Sequence, residues 1–269
     1  MTLPMLSRQS TGVQRTLLAL ALAAASASAS ALPAFTWDPT AAGLNGAAFT
    51  ADNLLISNYS TVTFGASDTF TETGYLTVSA AQLGGGAVLP TGLNSTYGLY
   101  IQFTGTGTLT TNGAPGTTAT LGKLDTLSYT LYGYNGSASF GVTGKTPTET
   151  ATGEIALASG TLKFGNVATV PSGDGTTFNP SANASLTANW LAPGFFADPS
   201  VPYTVALTSF SNTTSQVTPF ADGTGFSISQ GGGSINFATP VPEPASYAML
   251  LCGLAAIGFV ARRRNRGEK

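Results

Sequence analysis

The stretch Tyr97-Gly98-Leu99-Tyr100-Ile101-Gln102-Phe103 decides the fold class of this chain. Tyr97, Leu99, Ile101 and Phe103 stand at every second position, and Gly98, Tyr100 and Gln102 fill the places between. Successive side chains of a strand point to opposite faces, so this spacing predicts a strand with one face in the core. The same period recurs at Leu127, Tyr129 and Leu131, at Tyr203, Val205 and Leu207, at Phe226 and Ile228, and at Ile235 and Phe237. Further strands are expected over 54–64, 70–78, 153–164 and 184–190. Between them lie turn residues, as in Gly84-Gly85-Gly86, Asn112-Gly113, Asn135-Gly136 and Gly173-Asp174-Gly175. No run between the two ends keeps a helical period. Ten or more strands without a helix to cover them predict an all-β body of two sheets packed face to face, a β-sandwich or jelly roll. An open single sheet would leave an apolar face in water. No period of roughly 20 to 50 residues marks a repeat array, and the loop near 146–152 is the weakest candidate for a boundary inside the body.

Composition agrees with that picture. Charged residues are 8% of the 269, while hydrophobic residues reach 42% and aromatics 10%, with 33 glycines. Disordered chains combine high net charge with few aromatics, which is the reverse. The net charge of −2 hides an asymmetry. Between 32 and 240 the basic residues are Lys123, Lys145 and Lys163, set against ten carboxylates, which leaves the body near −7. A nucleic-acid partner needs clustered Lys and Arg, so that class is excluded. Histidine is absent, and the single cysteine, Cys252, lies in the C-terminal apolar run. The body therefore has no disulfide and no thiol nucleophile.

The two ends read as targeting segments. Arg8 and Arg15 precede an apolar run over 17–25 and a small-residue stretch over 26–31. Ala27-Ser28-Ala29 and Ala29-Ser30-Ala31 both fit a small-x-small cleavage site, so residues 1–31 are expected to form a secretory signal helix cut near Ala31. The run is too short to cross a bilayer as a stable helix. At the other end 245–261 is free of charge and is followed by Arg262, Arg263, Arg264 and Arg266. Its helix would reach about 26 Å, near the lower limit for a transmembrane span, with the arginines held on the cytoplasmic side. Val241-Pro242-Glu243-Pro244 lies directly before it. Two prolines around a glutamate fit neither a helix interior nor a sheet centre, so the tetrapeptide is an extended, accessible stretch. Alone, it is a rigid linker before an anchor or a recognition site for a membrane-embedded protease. The expected division is signal peptide 1–31, β-rich extracytoplasmic domain 32–240 and sorting segment 241–269.

The order of Pro-Glu-Pro, short apolar helix and arginine cluster resembles the PEP-CTERM sorting signal of Gram-negative bacteria. The resemblance implies that exosortase recognises Pro242, Glu243 and Pro244 at the inner membrane and removes the tail, which is then only a transient anchor. Softer motifs run through the body: Phe35-Thr36-Trp37-Asp38-Pro39, Phe49-Thr50-Ala51-Asp52, Ser57-Asn58-Tyr59-Ser60, Asn189-Trp190, Ser211 to Val217, Gly225-Phe226-Ser227-Ile228, and Gln230 to Phe237. Their order resembles the flocculation-associated PEP-CTERM proteins. That implies a role in floc or biofilm matrix alongside exopolysaccharide, and it carries over no catalytic residue.

Chemistry in the body is limited to carboxylates, three lysines and hydroxyls. Ser-His-Asp and Cys-His arrangements, histidine-bearing zinc sites and arginine phosphate clamps are excluded. A glycosidase needs two acids about 5 to 9.5 Å apart, but the ten acids are scattered beside Gly, Pro or Thr. Asp174 and Asp222 suit Asx-turns. No Asp-x-Asp-x-Asp loop suggests calcium, and no cofactor or metal is expected. Tyr97 shares a face with Leu99 and Ile101 and reads as core. Tyr100, Tyr132 and Tyr134 are out of phase with their aliphatic neighbours and line the second face, exposed or against another layer. With Trp190 they are the candidate sugar contacts. Three functions remain: a non-catalytic matrix or aggregation protein at the cell surface, a carbohydrate-binding module for exopolysaccharide, and, least favoured, a secreted glycan hydrolase.

Overall fold

The computed structural model describes residues 33–110, 119–171, 178–197, 206–211 and 214–237. The expected signal helix, with Ala29 and Ala31, lies outside them. So does the expected tail, with Val241, Pro242, Glu243, Pro244 and Arg262, Arg263, Arg264 and Arg266. Among the described residues no helix is long and apolar enough to cross a membrane.

The described residues form fourteen strands and two short 3-10 turns. In chain order the strands are β1 (Phe35–Trp37), β2 (Phe49–Ala51), β3 (Asn53–Phe64), β4 (Thr69–Leu83), β5 (Gly86–Ala87), β6 (Tyr97–Leu109) and β7 (Thr120–Asn135). There follow β8 (Phe140–Thr143), β9 (Thr146–Glu149), β10 (Ile155–Pro171), β11 (Phe178–Leu191), β12 (Ala206–Ser211), β13 (Val217–Pro219) and β14 (Gly225–Phe237). The candidate boundary at 146–152 is thus largely strand β9.

The eight strands β3, β4, β6, β7, β10, β11, β12 and β14 pair antiparallel in sequence order. β14 pairs with β12 on one edge and β3 on the other, which closes the ring. The body is therefore one sheet curled into an up-and-down barrel, not the expected sandwich or jelly roll. Both solutions bury one face of every strand, so they share a period-two pattern. Strand length and curvature separate them. β10 runs for 17 residues and β7 for 16, and long twisted strands carry a wide sheet round until its edges meet. Register shifts at Leu55/Ile56, Thr106/Gly107, Ala156/Ala158, Ser159/Gly160 and Ser229/Gly231 mark bulges that sharpen the bend.

The inner face holds the core: Leu54, Ile56 and Val62 from β3, Phe70, Leu76 and Val78 from β4, Leu99, Ile101 and Phe103 from β6, and Phe226, Ile228 and Ile235 from β14. Phe70 lies against Gly107 on the neighbouring strand, where any side chain would run into its ring and the Lys123 carbonyl. Threonine and serine dominate the outer face. Thr73, Thr104 and Ser128 follow one another across β4, β6 and β7, Thr106 and Thr126 share a hydrogen bond of 2.7 Å, and Lys123 pairs with Asp125 at 2.7 Å. A membrane barrel has an apolar band outside; here hydroxyl-bearing side chains prevail, with Leu121, Phe164, Val170 and Trp190 exposed among them on β7, β10 and β11. Threonine is a good strand former, so it supplies outward polarity that charges supply elsewhere.

One end of the barrel is plugged. β1 and β2 pair with each other, and Trp37, 1% exposed, lies among the rings of Phe35, Phe49, Phe195, Phe196 and Phe237 at 5.0 to 6.0 Å. Backbone bonds from Asp38 N to Phe195 O (2.7 Å) and from Ala197 N to Thr36 O (3.0 Å) hold the plug together. Beyond the layer of Ile101, Tyr129 and Leu186, the interior opens into a cavity of about 90 Å3. Glu72 lines it and is half-buried. Burial pushes the Glu72 carboxyl above its ordinary range, although the Ser60 and Asn58 side chains act in the opposite direction.

Two outcomes follow from this interior. Trp37→Ala removes the centre of the plug and should lower stability by about 3–5 kcal/mol in urea denaturation. A raised acid binds its proton more tightly in the folded chain than in the unfolded one. Its contribution is therefore complete below the ordinary value of 4.5 and is lost as pH rises through the raised folded value. Glu72→Gln should abolish that decline, so wild-type and variant stabilities, measured by denaturation from pH 4 to 8, should diverge in favour of the variant as pH rises.

Candidate functional site

The outer wall carries a cluster of aromatic side chains beneath a hairpin. β8 and β9 form a hairpin that lies over the outside of β3, β4 and β14. Its Phe140 reaches Tyr59, Tyr75, Tyr100 and Tyr134 at ring distances of 5.2 to 6.3 Å. Tyr100 also stacks on Tyr132 at 5.3 Å and 24°. Tyr100 and Tyr132 are directly opposite on β6 and β7, as are Gly98 and Tyr134. The Tyr134 ring occupies the space above Gly98, where any Cβ would collide with it. At the hairpin tip Lys145 pairs with Asp222 at 2.5 Å and sits 4.9 Å from the Phe220 ring. Asp222 also accepts from Thr224 N and Oγ1 at 3.2 and 2.7 Å, the expected Asx-turn, and these partners, Lys145 foremost, hold its carboxyl down to about 2.

Two carboxylates border the tyrosines. The Tyr100 hydroxyl donates to Glu154 Oε1 at 2.6 Å, and Glu149 Oε2 accepts from Ala151 N at 2.5 Å. Burial raises the Tyr100 pKa far above its ordinary value, and the bond to Glu154 and the charges of Glu154 and Glu149 raise it further. Tyr75 is raised by burial and then by the same two acids, and Tyr134 by burial and then Glu149. The cluster is rich in aromatic surface and in hydrogen-bond acceptors.

Of the four candidate sugar contacts, Tyr100 and Tyr134 are 3% and 6% exposed and packed beneath the hairpin. Their second face therefore lies against another layer. Tyr132 is half-buried, and Trp190 is 46% exposed on β11. Ser159 of β10 lies directly opposite Trp190, and Thr130 of β7 is opposite Ser159, while Tyr132 is opposite Ala156. Trp190 and Tyr132 therefore stand two strands apart and two residues out of register, about 12 Å at ordinary strand geometry, across a floor of small side chains. Tyr97 is fully buried in the core, as its phase requires.

Glu149, Glu154 and Phe140 escaped the sequence reading because they come from the hairpin and the segment after it, joined to the tyrosines only by tertiary folding. Glu72 escaped it for another reason. It shares parity with Phe70, Leu76 and Val78, so an inward carboxyl was visible in the spacing itself. Among the described residues no group of three His, Cys, Asp or Glu side chains is placed to hold a metal ion.

Residues 240–264 match the family model of the PEP-CTERM protein-sorting motif. The match spans Val241, Pro242, Glu243, Pro244 and the arginines Arg262, Arg263 and Arg264, and ends before Arg266. The motif marks an exported protein processed by exosortase. No curated protein matches the chain, and no solved structure does.

The Tyr100–Glu154 contact carries a measurable consequence. Glu154→Gln removes both the charge and the carboxylate acceptor, so Tyr100 should ionise at a lower pH than in the wild type, read by tyrosinate absorbance in alkaline titration. Tyr129, pushed up to about 12 by burial, should ionise unchanged in the same variant.

Proposed function

We propose that this chain is a non-catalytic surface and matrix protein, released from a transient inner-membrane anchor by exosortase and contributing to exopolysaccharide-linked flocculation or biofilm. One observation carries the reading: a PEP-CTERM sorting motif at 240–264 follows a barrel with a hydroxyl-rich outer wall. The signal accounts for delivery, and the barrel is what remains to act outside. Its threonine-rich wall is uncharged over wide areas and offers hydroxyls to a hydroxyl-rich polymer. The resemblance of the body motifs to flocculation-associated proteins supports the same role.

A second reading, compatible with the first, is direct binding of exopolysaccharide. Trp190 supports it, being a large ring 46% exposed on the outer wall, where Phe164 of the neighbouring strand is exposed as well. Aromatic faces cover apolar sugar faces while hydroxyls and carboxylates take the edges. Trp190 and Tyr132 would form the two sides of such a shelf, with Glu154 beside it.

Intact-mass measurement and fractionation in cells with and without functional exosortase test the first reading. Loss of about 25 C-terminal residues only in competent cells, with release to the surface or medium, is the expected result. An uncut chain in both strains, or normal flocculation in a deletion strain, overturns it. For the second reading, the wild type should bind purified exopolysaccharide saturably, and Trp190→Ala should weaken that binding about tenfold or more. Equal retention of variant and wild type removes the shelf from the account.

A further inference from the structure

The barrel interior holds a polar group that neither the fold nor the outer wall uses. β3 and β4 place Asn58, Ser60 and Glu72 on the inner face, among residues that are mostly aliphatic or aromatic, with Thr169 and Ser181 also on the cavity wall. Ser60 Oγ donates to Glu72 Oε1 at 2.8 Å. Asn58 is 4% exposed, lines the cavity of about 90 Å3, and its Oδ1 has no hydrogen-bond partner. A buried acceptor left unpaired costs about 1–3 kcal/mol, and a core that only had to be filled would place an apolar side chain there.

We propose that this cavity is a binding site for a small uncharged molecule with an apolar body and one hydroxyl head, the head seated between Asn58 and Glu72. Three features specify the class. The unpaired Asn58 Oδ1 is an acceptor, so the missing partner is a donor. Most of the rest of the wall, with Val62, Phe70, Leu76, Leu124, Phe226 and Ile228, is apolar and suits an apolar body, and Thr169 and Ser181 add hydroxyls towards the end opposite the plug. A cationic head is disfavoured: it would require an ionised Glu72, and a buried ion pair pays to desolvate both charges. A hydroxyl donates to Asn58 Oδ1 and can accept from a protonated Glu72 carboxyl, the form that burial favours. Leu109, Thr169 and Pro180 carry the cavity wall to the end of the barrel opposite the plug.

The test uses two isomeric probes of equal size, 1-butanol and methyl propyl ether, added to exported protein recovered without detergent. Amide NMR spectra follow the Asn58 side-chain amide and the backbone amides of Ser60 and Glu72. The expected result is a saturable shift at these positions with butanol, and an affinity about tenfold higher than for the ether, which has no donor. Asn58→Leu should erase that preference while the remaining spectrum stays folded. Equal affinity for the two probes would make the cavity an apolar hole that reads no head group. That outcome overturns the proposal, and so does the absence of any saturable shift or a shift confined to the outer wall. Should Asn58→Leu fail to fold, the alcohol-to-ether ratio in the wild type decides alone.

Discussion

Closure through β14 is the constraint on which the rest of the structure depends. Its outer half pairs with β13 and its inner half with β12, while its other edge runs along β3. Without those bonds the sheet has two edges and an apolar face open to water. With them every long strand has a neighbour on both sides, and the inner face becomes a core with no second layer to cover it. The glycine run inside β14 suits this position. The bulge falls just before the run, at Gln230, whose φ is 60°, and β14 changes partner there, from β13 before the bulge to β12 after it.

A closed ring also explains the unusual composition. A water-facing strand wall needs polar residues with good strand propensity, and threonine combines both. The charge that a globular surface would carry is largely missing, so the acids that remain have specific work. Asp222 pins the hairpin through Lys145, Asp38 holds the turn after β1 through Thr40, and Glu154 anchors Tyr100. Among the described residues Glu72 is the acid turned inward.

The strands were legible because parity is local. Leu54 to Val62 and Tyr97 to Phe103 declare their buried faces without any knowledge of their neighbours. Whether two such faces meet in a sandwich or belong to one curled sheet depends on which strand pairs with β14, and that is a contact between residues 181 positions apart for Ile235 and Leu54. The same limit applies to the outer cluster. The phase of Tyr100, Tyr132 and Tyr134 placed them on the second face, but the layer above them is supplied by Phe140, whose own strand is four residues long and too short to show a period. Glu72 was the opposite case, readable in the alternation and passed over because acids were weighed as turn residues.

The plug joins the two ends of the folded body. Phe35, in the first strand, and Phe237, at the end of the last, meet with ring centres 4.7 Å apart. The chain thus enters and leaves the barrel at a single pole, and its final strand is complete three residues before the sorting motif begins at 240. Severing the tail removes no strand from the ring and no ring from the plug. Maturation and architecture are decoupled, so the segment can be recognised, cut and discarded by a membrane enzyme while the cargo keeps the whole of its fold.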